Sequence, residues 1–264
     1  MPKTSIPFRD TNYFSSLICD YLEEHPDLNP FYNRFPNLEN FADQIKDKQF
    51  SDENRTVLVN TVQKQYKAIE TSEVTAKNIE LLSQQNSYTI TTGHQLNLFT
   101  GPLYFLYKII STINLTNQLK DTYPDFNFVP VYWMATEDHD FEEINYFNFK
   151  GKKLKWNAQA SGGVGRLDTS GLQQVFDAFS SDIGGGTNAD ELKTLFEDAY
   201  LKHSNLTDAT RFLANSLFAE YGLVIIDGDD VELKRLQIPF VKDDLYNNAA
   251  FKKVEETIKD LSKI

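Results

Sequence analysis

The sequence predicts an α/β fold built on a parallel sheet. Two apolar runs, at residues 128–134 and 223–227, carry this prediction, because strands covered on both faces show no polar alternation. A third, β-rich run at 88–92 precedes a helix that Pro102 opens, and this helix leads to the first apolar run. Strand, helix and strand in this order form a βαβ unit with a right-handed crossover.

The net charge and the single cysteine argue against a nucleic-acid-binding protein and against a disulfide-stabilised one. The 264 residues suit one or two domains, and 38 acidic against 26 basic side chains give a net charge of −12. This balance argues against a nucleic-acid partner, because binding to phosphate backbones depends on Lys and Arg. The single cysteine, Cys19, excludes a disulfide within one chain and is predicted to be a buried thiol on the first helix.

Hydropathy gives no sign of a membrane protein. No apolar run approaches the roughly 20 residues that span a bilayer. The first residues also lack the apolar stretch of a signal peptide. We therefore expect a cytoplasmic protein without a membrane partner.

Five segments are predicted along the chain. In chain order they are an N-terminal helical region that packs on the core (1–86), the first βαβ part of the core (87–145), an inserted connecting region (146–206), a further core helix and strand (207–242) and the start of a helical or coiled-coil element (243–264). Helices are predicted at 11–24, 37–49, 52–84, 171–180, 189–202, 207–220 and 243–263, with a short helix before the last of these. His25-Pro26 ends the first helix because proline cannot continue the backbone ladder. Ser51 or Asp52 caps the third, and short strands within 146–170 are joined by Gly151 and by Gly162-Gly163.

The first candidate site is the loop between the strand at 88–92 and the helix at Pro102. Ligands of open α/β sheets bind where strands end, and a helix N-terminus favours an anion there. Gly93 and Gly101 allow the backbone to approach a ligand closely. His94 is either a phosphate contact or acid–base group, or an ordinary loop or core residue. Lys108 lies far enough into the helix that a structural role is an equal alternative.

The second candidate site follows the strand at 128–134. Five carboxylates and one imidazole fall within seven positions, and such groups serve as cation ligands or as general acids and bases. The members are Glu137, Asp138, His139, Asp140, Glu142 and Glu143. The alternative is a helix N-terminus, where acidic residues cap and complement the dipole.

The third candidate site is the turn Asp227-Gly228-Asp229-Asp230 after the last strand. A parallel strand would point this turn into the same crevice as the other two loops. The alternative is an ordinary Asp-Gly turn.

Several of these segments together resemble one enzyme family. They are T-T-G-H-Q-L-N-L-F-T-G-P-L-Y-F-L-Y-K at 91–108, V-P-V-Y-W-M-A-T-E-D-H-D-F-E-E-I-N at 129–145, V-G-R at 164–166 and Y-G-L-V-I-I-D at 221–227. In these segments the chain resembles the bacillithiol biosynthesis cysteine-adding enzymes, and the resemblance runs from Ile6-Pro7-Phe8 to the end. It implies a Rossmann-like core and a dimerising helical coiled coil.

The resemblance also implies an activity. It implies that L-cysteine is joined to the glucosamine of malyl-glucosamine, with ATP as the expected activator of the carboxylate and Mg²⁺ as an accompanying ion. The catalytic positions it implies are Glu137, Asp138, His139 and Asp140. Its substrate- or nucleotide-binding positions are Gly93, His94, Gln95, Gly101, Pro102, Lys108, Arg166 and Asp227. Many family members have Gln where His94 stands, so the resemblance assigns His94 no essential acid–base role.

Family members are much longer than this chain, so we expect it to be the front portion of a longer protein that forms a homodimer. Two alternatives remain open from the sequence. One is a non-catalytic ligand-binding or dimerisation fragment. The other is a nucleotidyltransferase or synthetase-like enzyme that acts on another substrate.

Overall fold

The computed structural model describes residues 4–264, which fall into two compact units. The core unit is Phe50–Gln237, and the terminal unit combines the residues up to Gln49 with Ile238–Ile264. The first three residues of the predicted helical region 1–86 lie outside the described part. The five predicted segments stay a prediction.

The elements alternate in the order expected of an α/β chain. The helices are α1 (Ser16–Leu22), α2 (Phe41–Asp47), α3 (Asp52–Gln65), α4 (Glu73–Leu81), α5 (Tyr104–Thr122), α6 (Phe141–Ile144), α7 (Leu172–Ile183), α8 (Thr187–Leu201), α9 (Leu206–Phe218), α10 (Val231–Asn247) and α11 (Ala249–Leu261). The strands are β1 (Ser87–His94), β2 (Asn127–Met134), β3 (Tyr146–Phe149), β4 (Lys152–Lys155) and β5 (Val224–Asp227). Among residues 4–264, no helix is both long and apolar enough to cross a membrane.

The core unit is organised around a three-stranded parallel sheet in the order β1-β2-β5. This confirms the parallel sheet and the βαβ unit that the apolar runs predict. Pro130 lies opposite Ile90 of β1, and the pairing of β2 with β5 begins only at the next residue, Val131. At Pro130 the strand therefore has a paired neighbour on one side only, and a residue without an N–H is tolerated there. Helices α3 and α4 pack against β5, and α5 packs against β1 and β2.

The predicted helix over 52–84 is wrong, because the structure has two helices there. The first begins at Ser51, whose hydroxyl accepts a bond from the Asn54 N–H, as expected. It ends at Tyr66, whose buried hydroxyl accepts a bond from the Ile225 N–H at 2.8 Å. Ser72 then caps α4 by accepting from the Thr75 N–H. The helical pattern is thus broken between Tyr66 and Ser72, and Tyr66 is hydrogen-bonded to the distant strand β5.

The first and last helical predictions also differ from the structure. The helix predicted at 11–24 occupies only α1, because Ser15 caps it and Asn12 before it is left-handed. Cys19 is buried there, as predicted. The helix predicted at 37–49 is the shorter α2. At the C-terminal end, α10 and α11 replace the predicted short helix and long helix, and left-handed Asn248 separates them.

Residues 146–206 contribute one antiparallel hairpin, β3-β4, and helices α7 and α8. Gly151 forms the hairpin turn, as expected. Gly162-Gly163 does not join strands; it leads into a short 3-10 turn at Val164–Arg166. Gly165 within this turn packs closely on its neighbours, because a side chain there would overlap Thr136 and Thr207. The predicted helices at 171–180, 189–202 and 207–220 are confirmed as α7, α8 and α9.

Candidate functional site

The three parallel strands end side by side. His94 at the end of β1 is the register partner of Met134 on β2, and Met134 is the partner of Asp227 on β5. The loops that follow these residues therefore leave one edge of the sheet. This is the edge at which ligands bind in open α/β sheets, and all three predicted sites lie on it.

The loop after β1 holds an unusual backbone. Phe99, Thr100 and Gly101 have φ values of 50°, 69° and 58°, so three consecutive residues are left-handed and two of them are not glycine. A side chain at Gly101 would clash with Asn97, which explains the glycine. Backbone of this kind persists only where its surroundings fix it.

Phe99 supplies that fixing contact. Its ring is buried against four aromatic rings of β3, α7 and α8, which are Phe147, Phe179, Phe196 and Tyr200, at centroid distances of 4.5 to 5.3 Å. Its N–H also donates to the Tyr200 hydroxyl at 3.1 Å. Contacts with β3, α7 and α8 thus hold the first candidate loop in its shape.

His94 lies under this loop rather than in an open cleft. Its side chain is 7% exposed, and its ring lies within 5.4 Å of the Tyr104 and Phe105 rings. Burial, with a smaller effect of nearby Lys108, lowers the pKa of His94 to about 4. Its Nε2 has no hydrogen-bond partner among the residues that the structure describes. His94 is therefore neutral at pH 7 and unsuited to donate a proton as an imidazolium.

Gln95 connects the first two loops. Its Nε2 donates to Asp138 Oδ2 at 2.9 Å and to Glu143 Oε2 at 2.7 Å. Asp138 also accepts from the N–H groups of His139 and Asp140. The bond from Gln95 is the main cause that holds the pKa of Asp138 below its ordinary value, and the two backbone bonds add to it. Asp138 is thus an ionised acceptor at neutral pH.

The remaining members of the acidic segment do not converge. Glu137, His139 and Asp140 are exposed, and His139 Nδ1 lies 3.9 Å from Asp138 Oδ1. Glu142 instead pairs with Lys155 at 2.9 Å, and this bond lowers the pKa of its carboxyl. Within the described chain, no group of three or more Asp, Glu, His or Cys side chains is arranged to hold a metal ion.

The loop after β5 is tied to the loop after β2. The Thr136 hydroxyl donates to Asp227 Oδ1 and accepts from the Asp229 N–H at 2.9 Å. Thr136 is buried, and its carbonyl accepts from the Gly165 N–H at 3.0 Å. A single residue thereby connects the ends of β2 and β5, through its hydroxyl, and the 3-10 turn that carries Arg166, through its carbonyl.

Two cations meet at Asp229. Arg166 Nε donates to Asp229 Oδ2 at 2.5 Å, and Lys234 Nζ donates to Asp229 Oδ1. Burial alone would raise the pKa of Asp229, but the bonds from Lys234 and Arg166 together outweigh it and lower that pKa. Arg166 itself is largely exposed. The result is a positively charged group beside Asp227 in an acidic protein.

Three of the predicted binding residues, Gln95, Gly101 and Pro102, line one open cleft of about 660 Å³ together with Asn97 and Glu143. Gly93 and Lys108 do not line it; Lys108 donates to the Gly93 carbonyl at 3.2 Å and so stays close to the end of β1. The structure therefore places three predicted residues in one cleft and Arg166 with Asp229 in an ion cluster.

Sequence reasoning gave no role to four residues that shape this edge: Phe99, Thr136, Tyr200 and Lys234. Phe99 and Thr136 lie inside the candidate segments, but their residue types do not indicate their contacts. Lys234 alone had a possible clue, because it lies one helical turn beyond the Asp-Gly turn. The others act through contacts with residues distant in sequence.

Comparison with known proteins gives a consistent family. Residues 1–264 match the model of the bacillithiol biosynthesis BshC N-terminal Rossmann-like domain. The chain is 62% identical over 263 residues to a relative from Flavobacterium johnsoniae, covering 99% of the chain and 50% of the relative. It is 38% identical to one from Cytophaga hutchinsonii, covering 98% and 48%, and 27% identical to one from Bacillus cereus, covering 94% and 47%. All three carry the name "Putative cysteine ligase BshC", and the chain spans about half the length of these relatives.

Proposed function

The chain belongs to the BshC N-terminal Rossmann-like family of bacillithiol biosynthesis, and on this premise we propose that it forms the nucleotide-binding half of a cysteine ligase. The reaction joins the carboxylate of L-cysteine to the amine of malyl-glucosamine as an amide. The observation that carries the proposal is the common row of strand ends, His94, Met134 and Asp227, from which all three candidate loops leave.

Arg166 and Lys234 are the groups we assign to the phosphates of ATP. Both already bind the carboxylate of Asp229, so they are placed where they can also bind the anionic oxygen atoms of a phosphate. Lys108 adds a third cation near the end of β1. These local charges are needed because the net charge of −12 repels an anionic ligand at longer range.

Amide formation needs an activated acid. In the proposed first step the cysteine carboxylate attacks the α-phosphorus of ATP, which forms an adenylate and releases diphosphate. In the second step the amine of malyl-glucosamine attacks the carbonyl carbon of the adenylate and releases AMP. The attacking amine must lose a proton. His139 beside Asp138 is the pair we assign to accept it, with Glu137 and Asp140 as exposed carboxylates on the same loop. We assign Gln95 the role of orienting Asp138. We assign neutral His94 a hydrogen bond to the ligand and no role as an acid.

Mg²⁺ enters the proposal only as the ion that accompanies ATP. Magnesium in such sites is held largely by substrate phosphates and water, with few protein ligands. The complete protein is proposed to be a cytoplasmic homodimer, with a coiled-coil element that starts at 243–264.

The test measures binding and turnover separately. Calorimetry of the chain with ATP is expected to show binding that Arg166→Met and Lys234→Met each weaken by about tenfold. Lys252→Met, an exposed lysine of α11, is the matched control and should bind as the unchanged chain does. The full-length protein, given cysteine, ATP and malyl-glucosamine, should form the amide and AMP. ATP binding that neither site variant changes, or product formed without ATP, would contradict the proposal.

A further inference from the structure

A separate cavity of about 300 Å³ lies between α6 and the end of β4. It is lined by Phe141, Glu142, Asn145, Lys155, Trp156 and Gln159, among others. It shares no lining residue with the cleft beside Gln95. Its volume is at the lower limit of small-molecule pockets, so a small ligand is the appropriate size class.

Asn145 is the unusual feature of this cavity. Its side chain is 0% exposed, yet neither Nδ2 nor Oδ1 makes a hydrogen bond of normal geometry within residues 4–264. The amide contacts Glu142 closely enough to help lower the pKa of that carboxyl, but the geometry of this contact is too poor for a normal hydrogen bond. Buried amides are almost always paired, since an unpaired one bears its full desolvation cost.

Other buried asparagines of the core unit follow the usual rule. Asn78 Nδ2 donates to the Gly222 carbonyl at 2.6 Å. Asn215 is paired at both ends: Nδ2 donates to the Glu70 carbonyl and Oδ1 accepts from the Thr71 hydroxyl, each at 2.8 Å. Asn145, which lines the cavity, therefore differs from these two buried asparagines, which do not line it.

The cavity also presents one charge of each sign. Glu142 Oε2 and Lys155 Nζ are 2.9 Å apart, and both side chains are exposed to solvent. A ligand with only one charge would satisfy one of them and leave the other without its partner. A zwitterion replaces the ion pair on both sides. The rings of Phe141 and Trp156, 5.2 Å apart and both buried, add an apolar wall.

From these observations we propose that the cavity binds a small α-amino acid as its zwitterion. The ammonium group donates to Glu142 and to Asn145 Oδ1, while the carboxylate accepts from Lys155 and from Asn145 Nδ2. The ligand enters by separating Glu142 from Lys155, which gives it access to the amide, and its side chain lies against Phe141 and Trp156. Identification of this amino acid as cysteine rests on the proposed function; the site itself does not.

Calorimetry with the chain and L-cysteine, L-alanine or L-valine tests the site. Each free amino acid is expected to bind, and its N-acetyl and carboxamide derivatives, which lack one charge, to bind at least about tenfold more weakly. Glu142→Gln and Lys155→Met should each cause a similar loss, and both positions are exposed, so folding is retained. Binding of these singly charged derivatives as tight as that of the amino acids, or competition by glucosamine, would overturn the zwitterion assignment.

Asn145→Leu separates a ligand contact from a structural role. Because the amide is unpaired, Leu should leave the unfolding midpoint unchanged or higher while binding is lost. Asn215→Leu is the matched control: it removes two existing bonds, so it should lower the midpoint but leave amino-acid affinity in the folded protein unchanged. Unchanged affinity in Asn145→Leu, or a midpoint lowered as in the control, would overturn the inference.

The same titrations distinguish this inference from the proposed function. If ATP fails to bind while amino acids bind, the nucleotide proposal falls and the cavity assignment stands. If ATP binds in an Arg166-dependent way and no amino acid binds, the reverse holds.

Discussion

The loops after β1 and after β2 leave neighbouring strand ends but are built in opposite ways. The first is fixed from inside, by a buried Phe99 and left-handed backbone. The second is held through its backbone, where the Asp138 carbonyl accepts from the Val164 N–H at 2.7 Å, and it leaves Glu137 and His139 exposed. Gln95 is the polar connection between them.

This difference divides two roles between the loops: the first fixes the shape of this edge of the sheet, and the second carries the reactive side chains. The residue types that carry chemistry in the sequence lie mostly on the exposed loop, where they are free to meet a substrate. The positions of those side chains depend on the apolar loop, because its buried contacts are the rigid part of the edge. Variants that act on one loop and spare the other will test this division, and four follow from the largest expected effect to the smallest.

Phe99→Ala is expected to have the largest effect. It removes a buried ring from the aromatic cluster and should lower the free energy of unfolding by about 3–5 kcal/mol, measured by urea denaturation. Phe251→Ala, at an exposed position of α11, is the control and should change it by less than about 0.5 kcal/mol. A small effect at Phe99 would mean that the loop is not anchored by this ring.

His94 should make stability depend on pH. Its folded pKa of about 4 lies below the unfolded value of 6.5. The unfolded chain therefore binds the proton first, and stability falls as the pH is lowered from 6.5 towards 4, by roughly 3 kcal/mol at most. His94→Gln should remove this part of the slope in unfolding measured across that range. Equal slopes in the unchanged protein and in His94→Gln would contradict the burial argument.

Thr136→Val tests the connection between β2 and β5. Val keeps the shape but loses the hydroxyl bonds to Asp227 and Asp229, which should lower the free energy of unfolding by about 1–3 kcal/mol. Thr122→Val provides a comparison, since its hydroxyl bond to the Gln118 carbonyl is exposed and its loss should cost little. Equal changes at the two positions would rule out a special role for Thr136.

Gln95→Leu should have the smallest effect on stability, about 0.5–1 kcal/mol, because the bonds that it removes are partly exposed. Its clearest effect is on Asp138, whose pKa should rise towards the ordinary value, as followed by carboxyl NMR during an acid titration. Gln85→Leu removes a similar amide bond to Asp52 and should leave Asp138 unchanged. An unaltered titration of Asp138 in Gln95→Leu would show that the two loops are not coupled through this side chain.

Much of the fold was predictable from local pattern. The apolar runs at 128–134 and 223–227 identified β2 and β5 within one residue, because burial on both faces leaves a pattern in the strand itself. The break between α3 and α4 has one local signal, Ser72, a residue type that caps helices and does cap α4. The bond between Ile225 and Tyr66 at the end of α3 has no local signal, because the two residues are 159 positions apart.

The candidate site shows the same limit. The sequence identified Asp138 and Asp227 from their residue types and their places after strands, and the family resemblance implied Gln95 and Arg166. It did not show that Gln95 bonds Asp138, or that Arg166 bonds Asp229, because these partners are 43 and 63 residues apart. It also did not show that His94 is buried and neutral.

The sequence by itself determined the parallel sheet, the edge where the loops gather and the family, since strand burial and contiguous motifs are local properties. Only the tertiary structure decided which side chains of those loops meet, which are exposed and which are buried without a partner, as Asn145 is. The physical reason is that ionisation and hydrogen bonding depend on solvent exposure and on neighbours from other elements, and both are fixed only when the helices pack on the sheet.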